Sequence, residues 1–199
     1  MLAVRRGSVA HDQVDPHSSR EALPDEDDLR ATFPDAAMRG HPDLLLVEVD
    51  CQIVGYSHVL WRWTEVTGVR VYLHLSYLLP AWRNRGIGSA MLGWAQRRIR
   101  AIAAGEGADG RVTFATNVAS TEVEADALIR EAGYHVVRRL SDMAATIAPH
   151  APLSALPPGV ALRPVEPAHH RAIYGAIKDA NGELWTTTPA GEEDYAAEL

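Results

Sequence analysis

The chain has 199 residues, of which 47% are apolar and 23% are charged, a balance typical of a soluble globular protein with a hydrophobic core. Its net charge of -7 implies no phosphate-neutralising surface, which argues against nucleic acid as the main partner. The single cysteine, Cys51, excludes an internal disulfide, and no apolar run approaches the roughly 18 residues of a membrane span. We therefore expect a cytoplasmic protein without a membrane partner.

The composition divides the chain into four segments. Residues 1–24 are polar and rich in His, Asp and Ser, which predicts a disordered lead-in. Residues 25–148 carry the strand and helix patterns of the predicted main domain. Residues 149–159 are rich in proline and predict an extended linker, after which residues 160–199 have the pattern of a strand–helix tail.

The first elements of the main domain are a short helix and three strands. Acidic residues in the first turn favour a helix at residues 25–33. Runs of β-branched and aromatic residues at 44–50 and 52–65 predict a hairpin with its turn at Cys51, and a third strand at 69–80 would extend it into an antiparallel meander.

The pattern then alternates between helices and strands. Apolar residues recur at a helical period across 86–104, which predicts a long helix with one buried face. A strand at 111–117, a helix at 120–133 and strands at 134–140 and 142–147 follow. The predicted fold is α+β, with a mixed, mainly antiparallel sheet flanked by helices.

A loop between the third strand and the long helix has the features of an anion site. It runs from Leu78 to Ser89 and contains two arginines, Arg83 and Arg85, and two glycines. The first turn of a helix offers unpaired N–H groups, and glycines let a phosphate approach the backbone closely. We therefore predict a pyrophosphate site. A dinucleotide fingerprint is excluded because Met91 stands where its third glycine would be, and the lysine of a P-loop is absent.

The motif R-x-x-G-x-G formed by Arg83, Gly86 and Gly88, placed after a strand and a proline, resembles the GNAT superfamily of N-acetyltransferases. The resemblance covers about residues 44–147. It implies acetyl-CoA (CoA) as the cofactor, with the pantetheine arm paired to a splayed strand end and the pyrophosphate held by loop amides. The residues that it implies for cofactor binding are Leu78, Leu79, Arg83, Asn84, Arg85, Gly86, Ile87, Gly88 and Ser89.

The same resemblance implies direct attack of an unprotonated amine on the acetyl thioester, which needs a base and an oxyanion donor. His74 lies where relatives often carry glutamate and is the candidate base; the alternative is a histidine packed inside the sheet. Glu65 and Tyr77 are weaker candidates. The backbone N–H of Leu79 or Leu78 is the expected oxyanion donor.

Other positions both support the resemblance and depart from it. Gly133–Tyr134 matches the Gly-Phe that ends the family's second helix, and Ala125 matches its usual small residue. Ile129 replaces a tyrosine that often protonates the departing thiolate, and Glu122 replaces an asparagine that touches the cofactor. We therefore expect an N-acetyltransferase, with a catalytically silent CoA-binding or dimerisation module as the alternative.

Residues 160–199 resemble the opening strand and helix of a second GNAT module, as in tandem proteins of the mycothiol synthase kind. Because residues 1–24 show no such opening, we hypothesise that the tail completes the first module, either by folding back or by exchange within a homodimer. We expect an amine acceptor, most simply a small molecule, and no metal, because the histidines lack ligand spacing. Trp61 and Trp63 share a strand face, where packing is favoured over an acceptor pocket.

Overall fold

The computed structural model describes residues 1–15, 23, 25–33, 42–64, 70–107, 112–143, 145–146 and 155–181. The chain divides into two compact units, Met1–Leu140 and Ser141–Leu199. Within the described ranges, no helix has both the length and the apolar character that crossing a membrane requires.

A four-stranded sheet organises the first unit. Its strands are β1 (Leu44–Val49), β2 (Gln52–Thr64), β3 (Arg70–Leu78) and β4 (Val112–Ala115), and they lie in this order across the sheet. The first three strands are antiparallel, whereas β4 runs parallel to β3. The mixed, mainly antiparallel sheet of the predicted α+β fold is thus confirmed.

The predicted hairpin is present, and its turn has a specific geometry. Asp50 and Cys51 have φ angles of 49° and 62°, so two consecutive residues adopt the left-handed conformation of a two-residue hairpin turn. Cys51 is exposed in this turn. A bulge interrupts the pairing of β2 with β3 between Val59 and Trp61.

Among the described residues, the first unit contains four helices and the second contains one. The helices of the first unit are α1 (Leu2–Asp12), α2 (Glu26–Thr32), α3 (Ile87–Gly105) and α4 (Val123–Glu131). The second unit contains a 3-10 turn at Pro167–His169, followed by α5 (His170–Asn181). Asp25 caps α2 by accepting from the N–H groups of Asp27 and Asp28, which confirms the short helix that the acidic turn predicts.

The long helix α3 forms the core with the sheet. Its buried residues recur at intervals of four and include Met91, Ala95, Ile99 and Ala103. Ile99 and Ala103 form a cluster with Val59 of β2 and Tyr72 of β3. The buried face is the one predicted from the apolar period.

The amino-terminal segment differs from the prediction. Instead of an irregular lead-in, residues 2–12 form α1, in which Val4 is 0% exposed, and the helix lies against β2 and β3. The sequence pattern misses this helix because its buried face is largely polar: Arg5, Ser8 and Asp12 are buried with the valines.

The predicted strands after α4 are also not observed. The described residues of 134–140 and 142–147 have no strand assignment, and within the described chain none pairs with the sheet. Residues 160–165 of the second unit likewise lack a strand assignment. Alternating apolar residues favour a strand only where a neighbour supplies the ladder, and here many of them are exposed, among them Val137, Met143 and Leu162.

Two other predictions concern residues outside the described ranges. One concerns the candidate base Glu65, and the other concerns residues 182–199 at the end of the predicted strand–helix tail. Of the predicted linker at 149–159, residues 155–159 are described, and they form neither helix nor strand.

Candidate functional site

The loop after β3 leaves the amino-terminal end of α3 open. Gly86 is the N-cap, with φ 80° and no side-chain cap. The first helical bond runs from the N–H of Ala90 to the carbonyl of Gly86, at 3.0 Å. The N–H groups of Ile87, Gly88 and Ser89 therefore precede any helical acceptor and lie at the positive end of a 19-residue helix. This is the geometry that binds a phosphate.

The two glycines of the motif serve different purposes. Gly86 needs its left-handed backbone conformation, and a Cβ there would meet nothing within 4 Å. A Cβ on Gly88 would lie 3.2 Å from Cδ2 of Leu128, so this glycine allows α3 and α4 to approach closely. The first glycine keeps the helix end open, and the second brings α4 alongside it.

Beside this helix end, β3 extends past its parallel neighbour. β4 pairs with β3 only from Arg70 to Leu73, and the chain that follows β4, residues 116–119, is not strand. In the part of the chain that the structure describes, the β4-side edge from His74 to Leu78 has no ladder partner. A free backbone edge therefore leads directly to the open end of α3.

The structure corrects one predicted role on that edge. The N–H of Leu79 donates to the carbonyl of Val54 at 2.9 Å, so it faces β2 and is not available as an oxyanion donor. Because the N–H and carbonyl of one residue face the same edge of a strand and those of the next residue face the opposite edge, the N–H and carbonyl of Leu78 face away from β2. The carbonyl there accepts from Ser8 and from Arg83, and the N–H remains the candidate donor. Of the two predicted donors, Leu78 fits the geometry.

Arg83 has a different role from the one that its sequence position predicts. Its Nη1 and Nη2 donate to the two carboxylate oxygens of Asp12 at 2.7 and 2.6 Å, and Nη1 also donates to Glu124 Oε2 at 3.0 Å. The hydrogen bond to Asp12 is the largest cause of the raised pKa of Arg83. Its charge is engaged by these two carboxylates.

Of the neighbouring loop residues, Asn84 stabilises the loop, whereas Arg85 and Ser89 are exposed. Asn84 has φ 57° and donates from Nδ2 to Glu124 Oε1 at 2.9 Å, which fixes the loop. Arg85 is exposed, with its guanidinium 4.9 Å from the ring centre of Trp82. Ser89 is exposed at the start of α3. Arg85 is therefore the arginine of this loop that can reach an anion.

His74 lies inside the protein. Its side chain is 2% exposed, and Nε2 lies 2.9 Å from the hydroxyl of Tyr134. Burial lowers the pKa of His74 to about 4 and raises that of Tyr134. A base is most effective when its pKa lies near the working pH, so this geometry favours the packed histidine over the general base.

Tyr77, Glu122 and the two tryptophans of β2 are the remaining positions that the sequence singled out. The guanidinium of Arg5 lies over the ring of Tyr77, with its Cζ 4.0 Å from the ring centroid. Glu122 accepts from the N–H of Ala119 at 2.7 Å, and burial is the main cause of its raised pKa. Trp61 and Trp63 lie in β2, where their side chains are not described. No group of three metal-ligating side chains occurs within the described ranges.

Three residues that the sequence analysis missed contact the site. Ser8 and Asp12 belong to the segment predicted to be disordered, so no signal in the sequence identified them. Glu124 lies in the first turn of α4. Each contacts either Arg83 or the carbonyl of Leu78.

Comparison with known proteins identifies the family. The model of the acetyltransferase (GNAT) family matches residues 8–134. A GCN5-related N-acetyltransferase from Sphaerobacter thermophilus is similar over 99% of this chain and 58% of its own, with a TM-score of 0.70 and 19% identity. This chain thus spans 58% of the length of that protein. No curated protein matches the chain.

Two other structures show lower similarity. A GNAT superfamily phosphinothricin acetyltransferase from Sinorhizobium meliloti, in complex with AcCoA, has a TM-score of 0.44 and 17% identity over 67% of this chain and 70% of its own. AAC(6')-Iy with the bisubstrate analogue CoA-S-monomethyl-acetylneamine has a TM-score of 0.45 and 18% identity over 73% and 92%. Because the family match extends over more than half of its residues, the chain belongs to the GNAT family of acetyltransferases.

Proposed function

We propose that this chain binds acetyl-CoA and transfers its acetyl group to an amine. The observation that carries the proposal is the open amino-terminal end of α3 directly beside the free edge of β3. An anion site and a strand edge suit the two parts of CoA, its pyrophosphate and its amide-containing pantetheine arm. Membership of the GNAT family supports the same reading.

In this proposal, the backbone holds most of the cofactor. The N–H groups of Ile87, Gly88 and Ser89 bind the pyrophosphate, and Arg85 adds the exposed positive charge. The pantetheine arm lies along the free edge of β3 that ends at Leu78. Backbone groups held by a helix and a sheet are already positioned, so binding requires little reorganisation.

The proposed reaction is direct. The lone pair of a neutral amine attacks the carbonyl carbon of the thioester, the carbon–sulfur bond breaks and the thiolate leaves with its electron pair. The amine loses one proton to solvent or to a base. A backbone N–H on the free edge, with Leu78 as our assignment, stabilises the oxygen that becomes negative during the attack.

We propose a small-molecule amine as the acceptor. The net charge of -7 favours an acceptor that is cationic in solution and disfavours a polyanionic one. The alternative, a catalytically silent CoA-binding module, shares the site but predicts no turnover. The family match and the similar structures do not favour this alternative.

The binding site is tested by calorimetric titration of acetyl-CoA and CoA into the wild-type chain and into Gly86→Glu. We expect the carboxylate to weaken binding by about 100-fold, because it places a negative charge beside the pyrophosphate. Gly107→Glu is the matched control, since Gly107 also has a positive φ, also has nothing within 4 Å of its Cβ position, and lies beyond the opposite end of α3. Gly86→Ala separates backbone strain from charge.

Turnover is tested by following free thiol release with a panel of primary amines. Binding of acetyl-CoA together with amine-dependent thiol release supports the enzyme. Binding without release for any amine supports the silent module. Equal affinities of Gly86→Glu and Gly107→Glu would place the cofactor elsewhere and overturn the proposed site.

A further inference from the structure

We propose that one polar face of α1, formed by Arg5, Ser8 and Asp12, positions the acyl-CoA-binding edge of the protein. The proposal rests on the proposed function, because it concerns how that site is held in shape. It assigns Ser8 and Asp12 as positioning residues, and it assigns Arg83 to the same network and not to phosphate binding.

The three residues share a face because they follow the helical period. Arg5, Ser8 and Asp12 are spaced by three and four positions, and all three are buried, at 6%, 4% and 8% exposure. Buried polar residues in a short helix destabilise a fold unless each has a partner. Their burial therefore indicates that this face has specific partners.

Those partners follow one another along the predicted site. The guanidinium of Arg5 covers the ring of Tyr77, and the hydroxyl of Ser8 donates to the carbonyl of Leu78 at 3.2 Å. The carboxylate of Asp12 accepts two hydrogen bonds from Arg83, at 2.7 and 2.6 Å. The helix thus contacts the end of β3 and the loop before α3, the two parts of the site.

Arg83 joins the network at its centre. Besides Asp12, its guanidinium donates to Glu124 of α4 and, through Nε, to the same Leu78 carbonyl at 3.2 Å. A two-pronged pairing of guanidinium and carboxylate fixes direction as well as distance. Because the Leu78 carbonyl receives both Ser8 and Arg83, the plane of its peptide group is fixed from two sides.

Ser8 and Asp12 act on different parts of the proposed site. The hydroxyl of Ser8 donates to the strand end, where the pantetheine arm pairs in the proposed function. Asp12 holds Arg83, which contacts both the strand end and the loop that leads into α3. Loss of Ser8 should therefore affect the pantetheine half of CoA, whereas loss of Asp12 should affect both halves.

The test measures two ligands by calorimetry: CoA and 3′-phospho-ADP, which has the pyrophosphate but no pantetheine arm. For Asp12→Asn we expect about tenfold weaker binding of both, and for Ser8→Ala about threefold weaker binding of CoA with 3′-phospho-ADP unchanged. The matched control is Asp126→Asn, which removes a carboxylate from an exposed pair with Arg130 in α4, at 2.7 Å. It should bind both ligands as the wild type does.

A double-mutant cycle tests whether Asp12 acts through Arg83. The double variant should weaken CoA binding no more than Arg83→Gln alone does, since the contact that Asp12→Asn removes is already lost with Arg83. If Ser8→Ala acted only by lowering stability, it would weaken the binding of both ligands equally. Thermal unfolding of each variant identifies a loss of stability. Equal loss of the two ligands by Ser8→Ala, or wild-type affinity of Asp12→Asn, overturns the inference. Absence of CoA binding by the wild type overturns the proposed function and, with it, this inference.

Discussion

His74 shows how burial changes the chemistry of a residue that its position suggests for catalysis. Burial lowers the pKa of this histidine to about 4, and its Nε2 is hydrogen-bonded to Tyr134. Its Nδ1 is buried and has no hydrogen-bond partner within the described structure. A neutral imidazole that resists protonation suits a sheet interior, and it accepts a proton from an amine less readily than an ordinary histidine does.

This lowered pKa predicts a specific dependence of stability on pH. Between about pH 6.5 and 4 the unfolded chain binds a proton at this position and the folded chain does not, so stability falls as the pH falls through that window. From pH 7 to pH 5 we expect the wild type to lose about 2 kcal/mol more of its free energy of unfolding than His74→Gln does. Denaturant unfolding at both pH values measures this difference.

The control for this prediction is His135→Gln, which replaces an exposed histidine and should keep the wild-type pH dependence. Only the pH dependence is compared, so an overall loss of stability in His74→Gln does not affect the result. Identical slopes for the wild type and His74→Gln would show that the side chain is accessible to protons in the folded state. His74 would then return as a candidate base.

At the site, the residues that the sequence predicted best are those whose role depends on the backbone. Gly86 and Gly88 were predicted from the requirements of a helix end, and the structure places them there. Arg83 was assigned by its charge, and the structure pairs it with Asp12, 71 positions away. The sequence left both Leu79 and Leu78 open as oxyanion donors, because the edge that each N–H faces depends on pairing with β2.

At the scale of the elements, α3 is the one whose packing the sequence defined most completely. Buried residues recur every four positions from Met91 to Ala103, and Ile99 and Ala103 pack with Val59 and Tyr72 of the sheet. Ile99 is 0% exposed, whereas Ile102 on the neighbouring face is only partly buried. The same deletion at these two positions should therefore have different costs.

We expect Ile99→Ala to lower the free energy of unfolding by about 4 kcal/mol and Ile102→Ala by about 1–2 kcal/mol, because only the first leaves a closed cavity. Chemical denaturation of both variants measures the difference. Equal costs would indicate that the sheet moves to fill the space at Ile99, which is inconsistent with the tight cluster around Tyr72.

The elements that the sequence failed to predict share a cause. Helix α1 buries a largely polar face, and its burial depends on partners such as Leu78 and Arg83 that are distant in the chain. Residues 134–140 have the composition of a strand, but no neighbour pairs with them in the described structure. Periodicity describes one segment at a time. It therefore misses a helix whose polar face is buried against distant partners, and it predicts a strand where no neighbouring strand is present to pair with it.

At the scale of the whole molecule, α1 changes the role expected of the tail. The hypothesis that residues 160–199 complete the first module rested on the apparent absence of an opening helix in residues 1–24. The structure provides that helix as Leu2–Asp12. All four strands of the described sheet lie between residues 44 and 115, and its buried apolar residues lie between Val4 and Ala103. The buried apolar residues that the structure describes thus all belong to the first unit.

We therefore predict that a chain ending at residue 148 folds and binds CoA within about twofold of the full chain, since removing residues outside a core costs it little. Circular dichroism, thermal unfolding and calorimetric titration of the two chains provide the comparison. Light scattering of both chains shows whether the tail governs oligomeric state. If the shortened chain loses its thermal transition and its CoA binding while the full chain is a dimer, the tail is exchanged between copies. A monomeric full chain with the same losses in the shortened chain would instead indicate that the tail folds back onto its own module.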